Sequence, residues 1–243
     1  MSGLFGGGGA TISTVDPVAA GLRIQTSAYG MALPLVYGRT RIPGNLMWYG
    51  DFTPIAHTET TSSGGGGKGG GGEVTSSHTT YTYTAAFALG LGEGPFTAIH
   101  AFWRDKDFIT DASSVFTLKL GTYPQAVWSH LSSNHAAEAV PYQGVAYVCA
   151  SAYDLGSSDY LQNHSFEVTA RLPHQVGVID DANPKDILAD LLANANYGVS
   201  FPAGKLGDWT QFSAYCVANG LFFSPCYSEQ QQASRSEEHT SEL

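Results

Sequence analysis

The stretch SSGGGGKGGGGEVTSSHTTYTYT, residues 62–84, places a glycine tract around Lys68 and then alternates Tyr with Thr. A phosphate-binding loop would need a Gly, four further residues, and then Gly-Lys followed by Ser or Thr. Here Gly69 follows Lys68, and Ser62 occupies the position of the first Gly. The spacing therefore argues against a nucleotide site. An interdomain linker and the tip of a β-hairpin remain as interpretations.

The segments on both sides of the tract favour the hairpin. NLMWYGDF, residues 45–52, precedes the tract and is β-prone, whereas Tyr81 and Tyr83 follow it on one face of an alternating strand. A linker would separate two self-sufficient cores, and neither flank has the composition of one. We therefore predict that residues 62–77 are the mobile tip of a long antiparallel hairpin.

Composition and charge restrict the function classes. The net charge of −10 and pI near 5.1 argue against broad affinity for nucleic acid or anionic membranes. No apolar run approaches the roughly 20 residues of a membrane span, and the N-terminus lacks the pattern of a secretory signal. The odd number of cysteines, Cys149, Cys216 and Cys226, predicts buried, reduced thiols of a protein made in the cytosol.

Short β-prone runs separated by turn signals follow one another from Ile24 onward, which predicts a β-rich α+β fold with long loops. Pro43-Gly44 marks one turn and the charged run at residues 104–107 another. VAYVCA, residues 145–150, is almost continuously apolar and predicts a buried strand. The run at residues 165–172 alternates and predicts that Phe166, Val168, Ala170 and Leu172 face inward.

The composition shifts towards helix after about residue 176. Asn183 is a suitable N-cap and Pro184 suits the first helical position, while Asp186 lies near the positive end of the helix. A second helix is predicted over residues 207–220, closed by Gly220, and LFFSPCY (221–227) would begin a strand. The apolar stripe of the first helix consists of Ile187, Leu188, Leu191 and Leu192.

The residues with metal-binding potential do not form a recognisable motif. Asp105, Asp107 and Asp111 depart from a calcium loop because Lys106 intervenes, Gly is missing at the sixth position and no Glu closes the loop. We interpret them as a solvated turn. His100 is expected to be half-buried and hydrogen-bonded, and His57 and His78 could face each other across the hairpin. The sequence predicts no metal site.

Catalytic residues are not recognisable either. No Gly-x-Ser-x-Gly elbow is present, and Glu93 and Glu138 are isolated carboxylates rather than a glycosidase pair. The sequence therefore predicts no catalytic residue, no cofactor-binding residue and no enzymatic activity. The aromatic residues that could stack on a sugar, or equally belong to a core or interface, are Trp48, Trp103, Trp128 and Trp209.

The last nine residues, RSEEHTSEL (235–243), differ from everything before them. They resemble a translated sequencing adapter, which predicts that the natural protein continues after about Ser234. The alternative is an ordinary disordered tail. In both cases residues 235–243, a non-native tail in the first interpretation, are expected to contribute nothing to the fold.

Four phrases and the glycine tract together resemble tail tip, or baseplate hub, proteins of long-tailed phages. The likeness extends to the tip attachment protein of lambda-like phages and to hub proteins of gene transfer agents, and it covers about residues 11–230 in collinear order. Its specificity comes from that order. The phrases are IQTSAYGMALPLVYGRTRIPGNLMWYGDF (24–52), YTYTAAFALGLGEGPFTAIHAFWRDKDF (81–108), GVAYVCASAYDLGSSDYLQNHSFEV (144–168) and DANPKDILADLLANANYGVSFP (181–202).

The resemblance implies a structural role in a virion. Proteins of this family form β-rich hub domains that assemble as a homotrimer, close the tail tube and carry host-attachment modules farther along the chain. The expected partners are distal tail and tape-measure proteins, and the expected location is the tail tip, after assembly in the bacterial cytoplasm. The predicted layout is a flexible N-terminus (1–23), an antiparallel β hub domain (24–175), the start of a second, α+β hub domain (176–234), and the tail (235–243).

Two other function classes remain open from the residues alone. A carbohydrate- or receptor-binding β protein, with a glycosidase module outside this chain, is supported only by the tryptophans and the acidic composition. A secreted adhesin is weakened by the unpaired cysteines and by the missing signal pattern.

Overall fold

The computed structural model describes residues 10–24, 32–63, 74–173 and 180–228. Strands predominate in these ranges and helices accompany them, so the predicted β-rich α+β class is confirmed. None of the described helices has the length and apolar character needed to cross a bilayer. The elements are β1 (Thr11–Val15), β2 (Arg23–Ile24), β3 (Leu35–Val36), β4 (Arg39–Pro43), β5 (Asn45–Ser63), β6 (Val74–Glu93), β7 (Ala98–Arg104), β8 (Asp107–Ile109), β9 (Thr117–Leu120), α1 (Ser129–Asn134), β10 (Val145–Gly156), β11 (Tyr160–Leu161), β12 (His164–Thr169), α2 (Pro184–Ala193), α3 (Thr210–Ala218) and β13 (Cys226–Tyr227), with 3-10 turns at Ala112–Ser114, Ala136–Glu138 and Ala203–Lys205.

Strands β5 and β6 form the long hairpin that the sequence predicts. They pair antiparallel from Asn45 opposite Gly90 to Ser63 opposite Val74. The flanks of the glycine tract are therefore hydrogen-bonded partners, which confirms the hairpin and excludes an interdomain linker. The ends of the predicted mobile tip, residues 62–63 and 74–77, belong to the paired strands, whereas residues 64–73 with Lys68 lie outside the described residues.

The first sheet is organised around β6. Strand β5 pairs with one edge of β6, and β10 pairs with the other edge from Tyr83 to Glu93, with β9 beyond β10. Strand β10 does not cover the first part of that edge of β6. There β1 pairs with β6 in parallel, from Thr11 opposite Thr75 to Val15 opposite Thr79. Residues 11–15 thus form a strand within the N-terminus that was expected to be flexible; residues 1–9 are not described.

A second sheet packs against the first and has the strand order β4-β12-β7-β8. The predicted charged turn is the β7–β8 connection, since Arg104 pairs with Asp107. The main core lies between the two sheets and holds large, fully buried aromatic side chains. Its members include Phe87 of β6, Val148 of β10, Phe102 of β7 and Phe166 and Val168 of β12.

The first sheet is buried on both faces along residues 85–92 of β6 and 146–150 of β10. Phe87 and Leu89 face the core between the sheets, whereas Ala86 and Ala88 face the opposite side, where Trp128 packs. The same division holds in β10, where Val148 belongs to the first cluster and Tyr147 and Cys149 to the second. Strands covered on both sides need apolar residues at every position, which explains the continuous run VAYVCA.

The predicted inward face of β12 is correct except at its end. Phe166, Val168 and Ala170 are fully buried. Leu172 is 43% exposed and has a left-handed backbone with φ 48°. The pairing of β12 with its neighbours ends at Thr169, so the alternation of the strand no longer determines where Leu172 points.

Helix α2 begins as predicted, because the Asn183 side chain accepts a hydrogen bond from the Lys185 backbone N–H at 3.0 Å and Pro184 starts the helix. The predicted apolar stripe is only partly buried, since Ile187 is covered and Leu188 is exposed. The second predicted helix is present as α3 but is shorter than residues 207–220, and Gly220 follows it at φ 63°.

The segment after residue 180 shares a core with residues 35–39. Strand β13 pairs with β3, and Tyr37 packs with Ala182 and Ile187. Asp190 accepts hydrogen bonds from the hydroxyls of Tyr37 at 2.7 Å and Tyr197 at 2.5 Å. Burial of Asp190 opposes its ionisation, but these hydrogen bonds hold the pKa of its carboxyl below the ordinary value. The domain boundary predicted near residue 176 lies outside the described residues.

Candidate functional site

The hairpin continues beyond the buried part of the first sheet as a three-stranded extension. We call it the arm; it consists of residues 53–63 of β5, 74–84 of β6 and strand β1. Every residue of 53–63 and of β1 is exposed, so this part of the sheet has no cover. At the usual rise per residue, 53–63 span about 35 Å. The arm is thus a long, polar surface.

The arm histidines do not face each other, so the arrangement across the hairpin that the sequence left open does not occur. His57 lies opposite Thr80, and its ring hydrogen-bonds Thr82 Oγ1 at 2.8 Å. His78 lies opposite Glu59 and contacts Asp16 at 3.1 Å, beyond the end of β1. The reason is the register of the hairpin, which offsets the two residues by two positions.

A backbone irregularity in β5 marks the base of the arm. Between the pairs Gly50–Ala86 and Thr53–Thr84, β5 contains one residue more than β6, which is a β-bulge. Asp51 lies in the bulge with a left-handed φ of 51°, a conformation that Asp tolerates better than most residues. The bulge takes the side chain of Asp51 out of the alternation of the strand and directs it at α1.

Two histidines from the α1 region meet the Asp51 carboxylate. His130 Nε2 lies 2.7 Å from Asp51 Oδ2, and His135 Nε2 lies 3.0 Å from the same oxygen and 3.1 Å from Oδ1. One nitrogen or oxygen from each of the three residues lies within 4.8 Å of the others. Within the described ranges, Asp51, His130 and His135 form the group of three potential ligand side chains that lie close enough together to hold one metal ion.

Aromatic packing holds the two imidazoles in place. The Trp128 ring lies 4.9 Å from the His130 ring, and the Trp48 ring lies 5.1 Å from the His135 ring, measured between centroids. Trp48 is itself oriented by a hydrogen bond from its indole N–H to Glu138. A Cβ at Gly50 would lie 2.8 Å from the Trp48 ring, so the close approach of this indole to the strand requires glycine.

The backbone around the cluster is also fixed. Leu131, next to His130, is buried against the outer face of the first sheet. The backbone N–H of His135 donates to the Leu131 carbonyl at 2.8 Å, which closes α1. Hydrogen bonds from His135 and then from His130 hold the pKa of the Asp51 carboxyl below its usual value. Asp51 is therefore an anionic acceptor between two nitrogen donors.

Sequence reasoning missed this cluster. The sequence of residues 129–144 predicts no helix, and His130 and His135, five positions apart, do not match the i, i+4 spacing of two ligands on one helix face. The short helix ends between them, and Asp51 precedes His130 by 79 residues. The available signal was the pair of histidines in SHLSSNH after Trp128; nothing in the sequence identified Asp51 as their partner.

The other residues that the sequence analysis singled out do not come together in one site. Asp105 lies in the β7–β8 turn at φ 51°, while the Asp111 carboxylate caps the 3-10 turn by accepting from Ser113 N–H at 2.9 Å. His100 is half-buried and hydrogen-bonds Thr169 Oγ1 at 2.8 Å, as expected. Glu93 ends β6 opposite Val145, on a different element from Glu138.

The four tryptophans and the three cysteines differ in how far they are exposed. Trp128 is buried, whereas Trp48, Trp103 and Trp209 are half-buried. All three cysteines are free thiols, but Cys226 is exposed, which corrects the prediction that all are buried. Cys226 lies on β13, a two-residue strand with little cover. Burial raises the pKa of the Cys149 thiol to about 12, so this thiol is unreactive.

Comparisons with known proteins return one distant likeness. No protein-family model and no curated protein matches the chain. A solved structure, the virion of the native gene transfer agent particle, contains a chain that is similar with a TM-score of 0.47 and 17% identity. The match covers 89% of the present chain and 49% of that chain, so the present chain spans about half its length. A likeness at this level does not define a function.

Proposed function

We propose that the chain is a structural component of the tail tip, or baseplate hub, of a long-tailed phage or gene transfer agent. In this role it helps to close the tail tube, and the host-attachment modules lie outside the present residues. The observation that carries the proposal is the collinear order of the hub-like phrases from about residue 11 to residue 230. The proposed role is non-enzymatic.

The shape of the hairpin supports a role in an assembly. The two outer strands of the arm are exposed throughout and offer a large surface to neighbouring subunits. Its side chains are mostly Thr, Ser and His, and β1 leaves its outer edge unpaired within the described residues. A free edge of this kind can accept a strand from another subunit.

The surface of α3 supports the same proposal. Three of its large apolar side chains are at least 40% exposed: Phe212, Tyr215 and Val217. Cys216 is the one residue of α3 that is buried. An exposed group of large apolar side chains is typical of a surface covered by another protein.

The proposed assembly is a homotrimer that contacts distal tail and tape-measure proteins at the tail tip, after assembly in the bacterial cytoplasm. Light scattering coupled to size exclusion, applied to the complete gene product at micromolar concentration, tests the oligomeric state. We expect a mass of three subunits. A clean monomer would contradict the hub assignment, because a closed tube end requires a ring of subunits.

A further inference from the structure

The cluster at the base of the arm has the donor set of a transition-metal site. Two imidazole nitrogens and one carboxylate converge from β5 and from the α1 region. Imidazole with carboxylate suits Zn²⁺ and related divalent ions, whereas Ca²⁺ and Mg²⁺ prefer sites made of oxygen ligands. The chemistry of the three side chains therefore selects a first-row transition ion.

The distances are compatible with an ion after a small adjustment. Each ligand of a tetrahedral Zn²⁺ lies about 2.0–2.2 Å from the ion, which places neighbouring ligand atoms about 3.3 Å apart. The Asp51 oxygen lies 2.7 Å from His130 Nε2 and 3.0 Å from His135 Nε2. These two separations need to grow by about 0.6 Å and 0.3 Å to reach about 3.3 Å, and Asp51 is exposed enough to move outward. The two imidazole nitrogens lie within 4.8 Å of each other.

Metal binding requires a change of tautomer at His130. A metal-bound Nε2 carries no proton, so the ring proton must be on Nδ1. His130 Nδ1 faces the Asn134 side-chain amide at 3.3 Å. Asn134 Nδ2 also donates to the His130 carbonyl at 3.1 Å. Rotation of the amide would let the Asn134 oxygen accept from Nδ1–H but would break that bond, so the new tautomer gains its acceptor with the loss of one exposed hydrogen bond.

We propose that Asp51, His130 and His135 bind one Zn²⁺ ion, which joins the base of the arm to α1. Asp51 and His135 have 39% and 28% of their side-chain surfaces exposed, so the fourth coordination position faces solvent. Water, or a side chain of a neighbouring subunit, completes the site. The ion fixes the direction in which the arm leaves the body of the protein.

Calorimetric titration of the chelator-treated 243-residue chain with ZnCl₂ tests the proposal. We expect a stoichiometry of one ion per chain and, at a Zn²⁺ concentration 100-fold above Kd, an increase in melting temperature of about 5–10 °C. Co²⁺ in place of Zn²⁺ should give the visible absorption of a four-coordinate site. No binding at millimolar Zn²⁺ and no such absorption would overturn the proposal.

Variants separate this site from adventitious binding by surface histidines. His135→Gln and Asp51→Asn should each weaken binding at least 100-fold with an unchanged far-UV circular dichroism spectrum. His78→Gln is the matched control, because His78 also contacts an aspartate, Asp16, but lacks a second histidine. Equal affinity of wild type and His135→Gln, or a loss in His78→Gln alone, would refute the assignment. The Co²⁺ spectrum of the unmutated chain decides the question if both site variants misfold.

Discussion

His164 links the stability of the β-rich core to pH. The residue is almost fully buried among aromatic side chains of the main core, with the Phe102 ring 6.1 Å away and the Phe116 ring 5.9 Å away. Its Nδ1 lies 2.8 Å from the Gln162 carbonyl, so Nδ1–H donates there, and Nε2 accepts from the Tyr153 hydroxyl at 2.8 Å. Both nitrogens are thus satisfied in the neutral ring.

Burial lowers the pKa of His164 from 6.5 to about 4. Between these values the unfolded chain binds a proton that the folded chain does not, so stability falls as pH decreases. The stability is fully present above about pH 6.5, and the loss levels off below about pH 4. One pKa unit corresponds to about 1.4 kcal/mol, so the loss is about 2 kcal/mol at pH 5 and about 3 kcal/mol in total.

Urea unfolding at pH 7 and pH 5 measures this effect, with His164→Gln as the comparison. Glutamine can make the same two hydrogen bonds but does not titrate. We expect the free energy of unfolding of the wild type to fall about 2 kcal/mol more than that of the variant between pH 7 and pH 5. The other histidines are present in both proteins and cancel. Equal losses in the two proteins would show that His164 is protonated in the folded state and that the reasoning from burial is wrong.

Further predictions concern stability and the arm. Phe166→Ala should lower the free energy of unfolding by about 3–5 kcal/mol, and a loss below about 1 kcal/mol would mean that Phe166 is not in the core. Asn183→Ala should cost about 1 kcal/mol in the same assay, because α2 loses its N-cap; no change would refute the capping role. Gly50→Ala should displace the Trp48 indole and shift the tryptophan emission spectrum, whereas an unchanged spectrum would contradict the close approach. Replacing residues 64–72 with a two-residue turn should leave the melting temperature nearly unchanged, and a loss of several degrees would show that the tract packs against the protein.

Features encoded by neighbouring residues were predictable from the sequence. The β5–β6 hairpin follows from two β-prone runs on either side of the glycine tract, and α2 follows from Asn183-Pro184. The burial of Phe166 and Val168 follows from alternation. In each case the signal lies within a few residues of the element that it specifies.

Features that depend on distant partners were not predictable. Strand β1 forms because β10 leaves part of the β6 edge free, a gap that exists only in the folded sheet. Helix α1 forms where Trp128 and Leu131 can pack on the small side chains of Ala86 and Ala88. The cluster of Asp51 and the two histidines depends on both the bulge in β5 and the position of α1. A single sequence contains no local pattern that encodes such a meeting.

The position of the chain in a particle tests the proposed function most directly. Particles purified from cells that carry the gene with a peptide tag fused to its product can be labelled with a gold-conjugated antibody against the tag and imaged by electron microscopy. The account predicts label at one place only, the distal end of the tail. Label on the capsid or along the tail tube, or particles that lack the protein altogether, would contradict the assignment to the tail tip.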